Sequence, residues 1–509
     1  MRTRVSWATM AALLLAAISV AATLSVIDFP LGTLGDEYVK LQAVRTGRYN
    51  YFHPLVMIDL AQAATLVVQA PDLQSLVELG RFCSALAGGL LVFATFKLAR
   101  LVLPDLPALA VAAATAATPL VTVHARIFKE DIFVAAFIVL ALAALIRLLR
   151  SPAPHRAAVL GFFAGLAAGS KYIGALILPF AVAAILLVPT PGPERRLLRA
   201  TTVTGGAIVT FLLVMLPAIR RMNRWRRGMN FELGHSLKGH DIPLPLELTE
   251  GMFHLRESLW PGLGTPLLVI GLIGLAAPLI APKERRMPLA LIVSFSLLWY
   301  VIHEMSPLKP YPDFARYMLP LAPLLAILAA SFIYELLSRR DRLGIAAAIV
   351  LVLVAVPALG TSLRTNVPDD DPRAVVPPIL AATGLRVATD RYADYDGNRP
   401  LLGAKLRPNE ATADLVLTAN LAYGRVFNYA AQKTSGPVAD YYRGLNALPR
   451  LDVSNGRPTL GYFNPVLRVI AMDGSVERLK HIAESIQAAA PSFTVRLFQR
   501  NPRGLAPSN

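Results

Sequence analysis

"AAVLGFFAGLAAGSKYIGALILPFAVAAILLV", residues 157–188, is a 32-residue run with one charged side chain, Lys171. As a single helix it would be about 48 Å long, far more than the roughly 20 residues that cross a bilayer. It would also leave the next basic segment, "PERRLLR" (193–199), across the membrane from the other basic connections. Two short helices, 157–170 and 173–189, with "GSKY" (Gly169 to Tyr172) at the turn between them, resolve both conflicts.

The rest of the topology follows outward from that turn. Hydrophobic residues make up 55% of the 509 positions and charged ones 16%, and the apolar residues gather in membrane-length runs, so the chain is a polytopic membrane protein. Further spans fall at 7–27, 81–103, 107–123, 132–149, 200–219, 263–281, 288–304, 316–336 and 343–361, which makes about eleven transmembrane helices. The apolar run after "MRTR" exceeds the 7–15 residues of a signal-peptide core and reads as an uncleaved signal anchor. With the N-terminus cytoplasmic, "KLARLVLPD", "RLLRSPAPHR", "PERRLLR", "PKERR" and "SRRDR" all fall on the inner side, as the positive-inside rule requires.

This divides the chain into a transmembrane domain, 1–361, a linker, 362–378, and an extracytoplasmic domain, 379–509. The linker contains the Pro-rich, charged "TNVPDDDPRAVVPP". Within the first domain, outer loop 28–80 holds a short apolar run with Asp59 that suits an interfacial helix. Outer loop 220–262 opens with the basic, aromatic "RRMNRWRRGMN" (220–230), which departs from the charge rule. In the last domain the β-like runs "LRVAT", "ADLVLTA", "VLRVIAM" and "FTVRLF" alternate with helical patterns such as "VERLKHIAESIQAA", the signature of a small α/β domain.

Composition excludes several classes of function. Cys83 is the single cysteine, so the chain has no intramolecular disulfide and no thiolate metal cluster. The net charge of +17 sits largely in short loops that orient helices, and nucleic acid is not the expected partner. No HExxH or close His/Cys spacing marks a metal site. The carboxylates leave a divalent metal ion open as a cofactor, without support from any motif.

On this topology the unusual polar residues share the outer face: Asp36, Glu37 and His53 in the first loop, "HARIFKED" (His124 to Asp131) in the second, Lys171 at the third turn, and "HEMSPLKPYPDFARY" (His303 to Tyr317) in the fifth. Each has a plain structural reading too. Asp36 and Glu37, like Glu130 and Asp131, suit the first turn of a helix. Arg126 and Lys129 suit partners for those acids, and the histidines suit interfacial hydrogen bonding. Lys171 is the exception, because a short helix before it leaves the ammonium below the surface, where it is costly without a partner such as a lipid phosphate.

Four segments resemble the GT-C glycosyltransferases that use polyprenyl-phosphate sugars, in the bacterial branch of the dolichyl-phosphate-mannose protein mannosyltransferase superfamily. They are "GDE" (35–37), "RIFKEDIF" (126–133), "GLAAGSKYIGALILP" (165–179) and "ARYMLPLAPLLAILAA" (315–330). The tail segments "ADLVLTANLAYGRVFNYA", "YYRGL" and "GYFNPVLRVIAM" are similar to the small extracytoplasmic domain of such enzymes. The basic stretch 220–230 has no counterpart in that pattern.

The resemblance implies an all-α, GT-C-type membrane domain with interfacial helices and a C-terminal α/β domain. It also implies an integral-membrane glycosyltransferase of the inner (plasma) membrane, acting on the extracytoplasmic side. Its partners would be membrane lipids, a polyprenyl-phosphate sugar donor and an envelope glycan, lipid or protein acceptor. By the same carry-over Asp36 is the catalytic base and Glu37 shares or orients that role, since a carboxylate within reach of a hydroxyl accepts its proton. Asp131, with Glu130, positions the acceptor or balances charge on the sugar ring. Lys171, Tyr172, Arg316, Tyr317 and Arg126 face the donor phosphate, and His53, His124 and Lys309 support the acceptor. Direct attack opposite the phosphate would invert the anomeric centre. A permease or flippase for lipid-linked sugars is the alternative, and a non-catalytic envelope scaffold a third.

Overall fold

The structure, a computed structural model, describes residues 6–28, 37–189, 195–238, 252–306, 313–337, 343–365, 371–390, 392–393, 413–427 and 437–499. It is a multi-pass helical membrane protein with a small mixed sheet near its C-terminus. Helix Asp131–Arg150 lies at the centre, buried along almost its whole length against helices Leu73–Ala99 and Pro154–Ser170. Large apolar side chains such as Leu14, Leu187, Leu213 and Leu279 point outward, as a lipid-facing surface requires.

Every apolar run expected to span carries helix, but only five of the described helices are continuous spans by length and composition: Trp7–Leu24, Leu73–Ala99, Asp131–Arg150, Arg196–Val214 and Lys283–Met305. Others are short or broken, and proline marks several breaks. Thr118 is extended ahead of Pro119 and ends helix Asp105–Ala117, since the residue before a proline avoids the helical region. Leu255–Leu263 and Thr265–Ile280 meet at a 112° bend, where Gly264 takes a φ of +76°.

The decisive run does break at Lys171. Helix Pro154–Ser170 ends there with Lys171 extended, and a 3-10 turn, Tyr172–Leu176, leads into helix Ile177–Leu187. Glycine permits the return, because a Cβ on Gly174 would lie 2.2 Å from the Ala167 carbonyl oxygen.

Two boundaries differ from the sequence reading. The helix expected at 81 starts at Leu73, because the Asp72 carboxylate accepts from Ser75 N at 2.7 Å and caps it; loop 28–80 is thereby shortened, and it holds helices Glu37–Thr46 and Val56–Thr65. The expected linker 362–378 carries the end of helix Leu343–Thr365 and most of helix Pro372–Ala382. Asp371 caps the latter and Pro372 occupies its first turn, a position that needs no N–H. The basic stretch lies largely in helix Met222–Lys238.

The sheet has the order β1-β2-β4-β3-β5: Val387–Thr389, Leu415–Ala419, Leu467–Ala471, Arg450–Ser454 and Thr494–Phe498. Only β1 and β2 run parallel. Four strands match the runs read from sequence. β3, "RLDVS", was missed because three of its five residues are polar, although its side chains alternate between buried and half-buried.

Helices Pro154–Ser170 and Arg196–Val214 approach through glycine: a Cβ on Gly161 would lie 2.6 Å from Val203 O, and one on Gly165 2.6 Å from Ala207 O. Gly161→Ala/Gly165→Ala should lower the thermal unfolding midpoint in detergent, since overpacking costs roughly 1–3 kcal/mol. Gly205→Ala, which meets open space, should leave it unchanged or raise it.

Candidate active site

The site is assembled at the end of the bundle that faces the sheet domain. Glu130 and Asp131 open the central helix, where a negative charge is favoured by the helix dipole, and each acid draws in a different part of the chain. Asp131 Oδ1 accepts from Lys171 Nζ at 2.8 Å, and its Oδ2, which makes no hydrogen bond, lies 3.4 Å from Arg316 Nε. All three are buried. The Tyr317 ring sits beneath both cations, 4.3 Å from Lys171 Nζ and 5.4 Å from the Arg316 guanidinium carbon. Trp299 fixes that turn by donating to Tyr317 O at 2.7 Å.

Glu130 faces the first loop. Lys40 donates to its Oε2, and His53 Nε2 lies 3.1 Å from its Oε1. Glu232, from helix Met222–Lys238, approaches the other His53 nitrogen at 4.0 Å. Burial works against charge on Glu130, but His53, Lys40, Lys171 and Lys129 outweigh it and hold the carboxyl well below its usual value. Burial pushes His53 below its ordinary value against the opposing pull of Glu130. Lys40, Lys171 and Lys129 are the lysine cations around Glu130.

Glu37, expected to share or orient the role of Asp36, is held by an ion pair. It is fully buried, accepts from Arg81 Nε and Nη2 at 3.2 and 3.0 Å, and takes the Phe128 N–H at 2.7 Å. Its carboxylate thus ties the first loop to helix Leu73–Ala99 through Arg81 and to the second loop through Phe128 N. Tyr172 is also held in place: its hydroxyl donates to Tyr51 O at 3.1 Å and accepts from Trp225 Nε1 at 3.0 Å, bracing the first loop against helix Met222–Lys238.

Arg126 and His124 meet the sheet domain. The Arg126 guanidinium lies 4.6 Å from the Phe463 ring centroid, and a Cβ on Gly461 would touch the His124 ring. Lys129 donates to the Tyr462 hydroxyl at 2.8 Å. The tail turn Gly461–Asn464, with positive φ at both ends, therefore docks on the second loop. Asp36 and Lys309 lie outside the described residues. Among the described residues no three of His, Cys, Asp and Glu converge as a metal-ligand set.

Sequence reasoning missed Lys40, Arg81, Glu232 and Tyr462 as parts of this assembly. Lys40 carried a signal: it lies one turn beyond Glu37 in a short helix, and both are buried. Arg81 had a weaker one, as a charge inside an apolar run.

Residues 53–219 match a family model described as dolichyl-phosphate-mannose-protein mannosyltransferase. That segment contains His53, Glu130, Asp131 and Lys171. The chain also resembles ArnT from Cupriavidus metallidurans bound to undecaprenyl phosphate, at 16% identity and a TM-score of 0.52, over 90% of this chain and 97% of that one. The chain is a GT-C fold membrane protein. The family model covers two of the four segments that carry the resemblance, 126–133 and 165–179. The GT-C fold is also seen in the oligosaccharyltransferase AglB from Archaeoglobus fulgidus in complex with an inhibitory peptide and a dolichol-phosphate, at 12% identity, a TM-score of 0.52 and coverage of 90% of this chain and 74% of that one. Against the apo oligosaccharyltransferase of the same organism (16% identity, TM-score 0.48, 70% of this chain), it spans 56% of that protein's length. No curated protein sequence matches.

Arg81→Met should strip Glu37 of its cation inside the bundle and cost roughly 3–5 kcal/mol, read as a lost or lowered unfolding transition. Glu37→Leu/Arg81→Met should recover much of that loss. Acid should act in two stages. A lowered His53 value makes the unfolded chain take up a proton first, so stability falls as pH drops below about 6.5. The depressed Glu130 contributes stability above about 4.5 that is lost as pH falls through its folded value. Unfolding midpoints between pH 7 and 5, where Glu130 stays ionised, check the upper stage: His53→Gln should flatten the fall below about 6.5.

Proposed function

We propose that the chain is an integral-membrane glycosyltransferase that moves a sugar from a polyprenyl-phosphate donor to an acceptor on the outer face of a plasma (inner) membrane. The observation that carries this reading is the buried Lys171–Asp131–Arg316 arrangement, two cations from separate segments converging on one carboxylate at the domain-facing end of the bundle. The undecaprenyl phosphate of the ArnT structure and the dolichol-phosphate of the AglB complex support a lipid-phosphate donor here. The basic connections on the opposite end support a cytoplasmic N-terminus and an extracytoplasmic site.

Lys171 and Arg316 hold the donor phosphate, and their charges stabilise the negative charge that grows on it as the sugar–phosphate bond breaks. Asp131 sets the two cations apart and oriented before the donor arrives, and Tyr317 supports them from below. Asp36 takes the acceptor hydroxyl proton; it adjoins Glu37, whose bonds to Arg81 and Phe128 anchor the start of that loop helix. Attack on the sugar carbon opposite the phosphate inverts the anomeric centre without a covalent enzyme intermediate. The acceptor is an envelope glycan, lipid or protein that enters beside the sheet domain. The ionisable residues collect at one end of the helices, whereas a permease holds its charges near mid-membrane.

Protein in lipid nanodiscs, incubated with a panel of polyprenyl-phosphate sugars and envelope extract as acceptor, should release free polyprenyl phosphate. Lys171→Ala should lower the rate about 100-fold or more, and Asp36→Asn should abolish transfer while the unfolding midpoint is kept. Wild-type release by Lys171→Ala would place the phosphate site elsewhere.

A further inference from the structure

A cavity of about 280 Å³ opens between helices Leu73–Ala99, Asp131–Arg150 and Pro154–Ser170. Arg147 lies sixteen residues beyond Asp131 on the central helix, about 24 Å along its axis, so the cavity is at the opposite end of the bundle from the carboxylate cluster. Phe93, Leu140 and Phe163 form its apolar walls, and Lys97, Arg147 and Arg156 border it with their apolar stems, their charged ends lying outside the hollow. Arg156 is held in place by backbone carbonyls, donating to Arg147 O at 3.3 Å and Ser151 O at 2.5 Å. Lys97 and Arg147 feel each other's charge, and Arg147 that of Arg156. Among the described residues none of the three forms an ion pair with a carboxylate; the neighbouring Asp105 is taken by Arg100 at 2.7 Å.

Like charges gathered around one apolar hollow repel one another, and an anion between them turns that repulsion into attraction. Orienting a helix requires basic residues near its end, but it does not require three of them around one cavity between helices. The combination suits a ligand with an anionic head and an apolar chain, and basic pockets between transmembrane helices on the cytoplasmic side take phospholipid head groups. The geometry points to a structural binding site for an anionic phospholipid, with its phosphate among Lys97, Arg147 and Arg156 and one acyl chain against Phe93, Leu140 and Phe163. This site is separate from the proposed donor site and does not depend on the glycosyltransferase reading. A phospholipid is favoured over the polyprenyl-phosphate carrier because the cavity lies about 24 Å along the central helix from the carboxylate cluster, too far for a phosphate held here to reach it.

The full chain, purified from nanodiscs of mixed phosphatidylglycerol and phosphatidylcholine with matched acyl chains, should retain one phosphatidylglycerol in native mass spectrometry. Lys97→Gln and Arg147→Gln should each weaken retention roughly fivefold. Ala144→Leu, which fills the cavity and keeps every cation, should also reduce it. Unfolding midpoints measured in neutral detergent identify any variant that fails to fold, and the remaining variants then decide. Three results would overturn the inference: equal retention of both lipids, retention unchanged by Ala144→Leu, which would leave only diffuse surface attraction, or displacement of phosphatidylglycerol by stoichiometric undecaprenyl phosphate, which would assign the cavity to the carrier.

Discussion

An ionised carboxylate inside an apolar helix bundle persists only if cations share its burial, because the desolvation cost of a lone charge exceeds what a helix dipole returns. Asp131 meets that condition through Lys171 and Arg316. The requirement reaches far along the chain: it needs the break that puts Lys171 at a helix end, and it needs the 3-10 turn Asp313–Met318 that delivers Arg316. A straight helix through 157–188 would carry Lys171 past its partner. The two-helix turn and the charge cluster are therefore one structural decision.

Neighbouring residues divide the remaining work. Glu130 binds the first loop through Lys40 and His53, while Glu37 holds that loop to helix Leu73–Ala99 through Arg81 and to the second loop through the Phe128 N–H. The sheet domain adds a third tie, where Tyr462 meets Lys129 and Phe463 meets Arg126. Loops that would otherwise be free to move are thus pinned on three sides. A site that stabilises developing charge needs such pinning, since groups already oriented have no reorganisation cost during the reaction.

Much of the fold was legible. Hydropathy places the membrane runs because an apolar stretch of that length has few other stable homes, and the break at Lys171 followed from helix length and loop charge. Within the site, Lys171, Asp131, Arg316 and Tyr317 were read from sequence and come together. Glu37 was read as sharing or orienting the base's role, and its buried pairing with Arg81, 44 residues on, is not written in the local pattern. Arg126 and His124 were read toward the site, and they meet the tail turn, whose docking leaves no trace in local pattern. Proline and capping residues moved the boundaries at 73 and 372, within the range where local signals are weakest.

The sequence by itself determined the membrane class, the number of apolar runs and the order in which the charged segments appear, since hydropathy and charge act locally along the chain. Tertiary structure alone decided which acid pairs with which cation and which of two neighbouring carboxylates faces the first loop. It alone also showed that a turn more than three hundred residues away completes the second loop. These are contacts between distant segments, and their energies depend on distance and burial, which no single stretch of sequence contains.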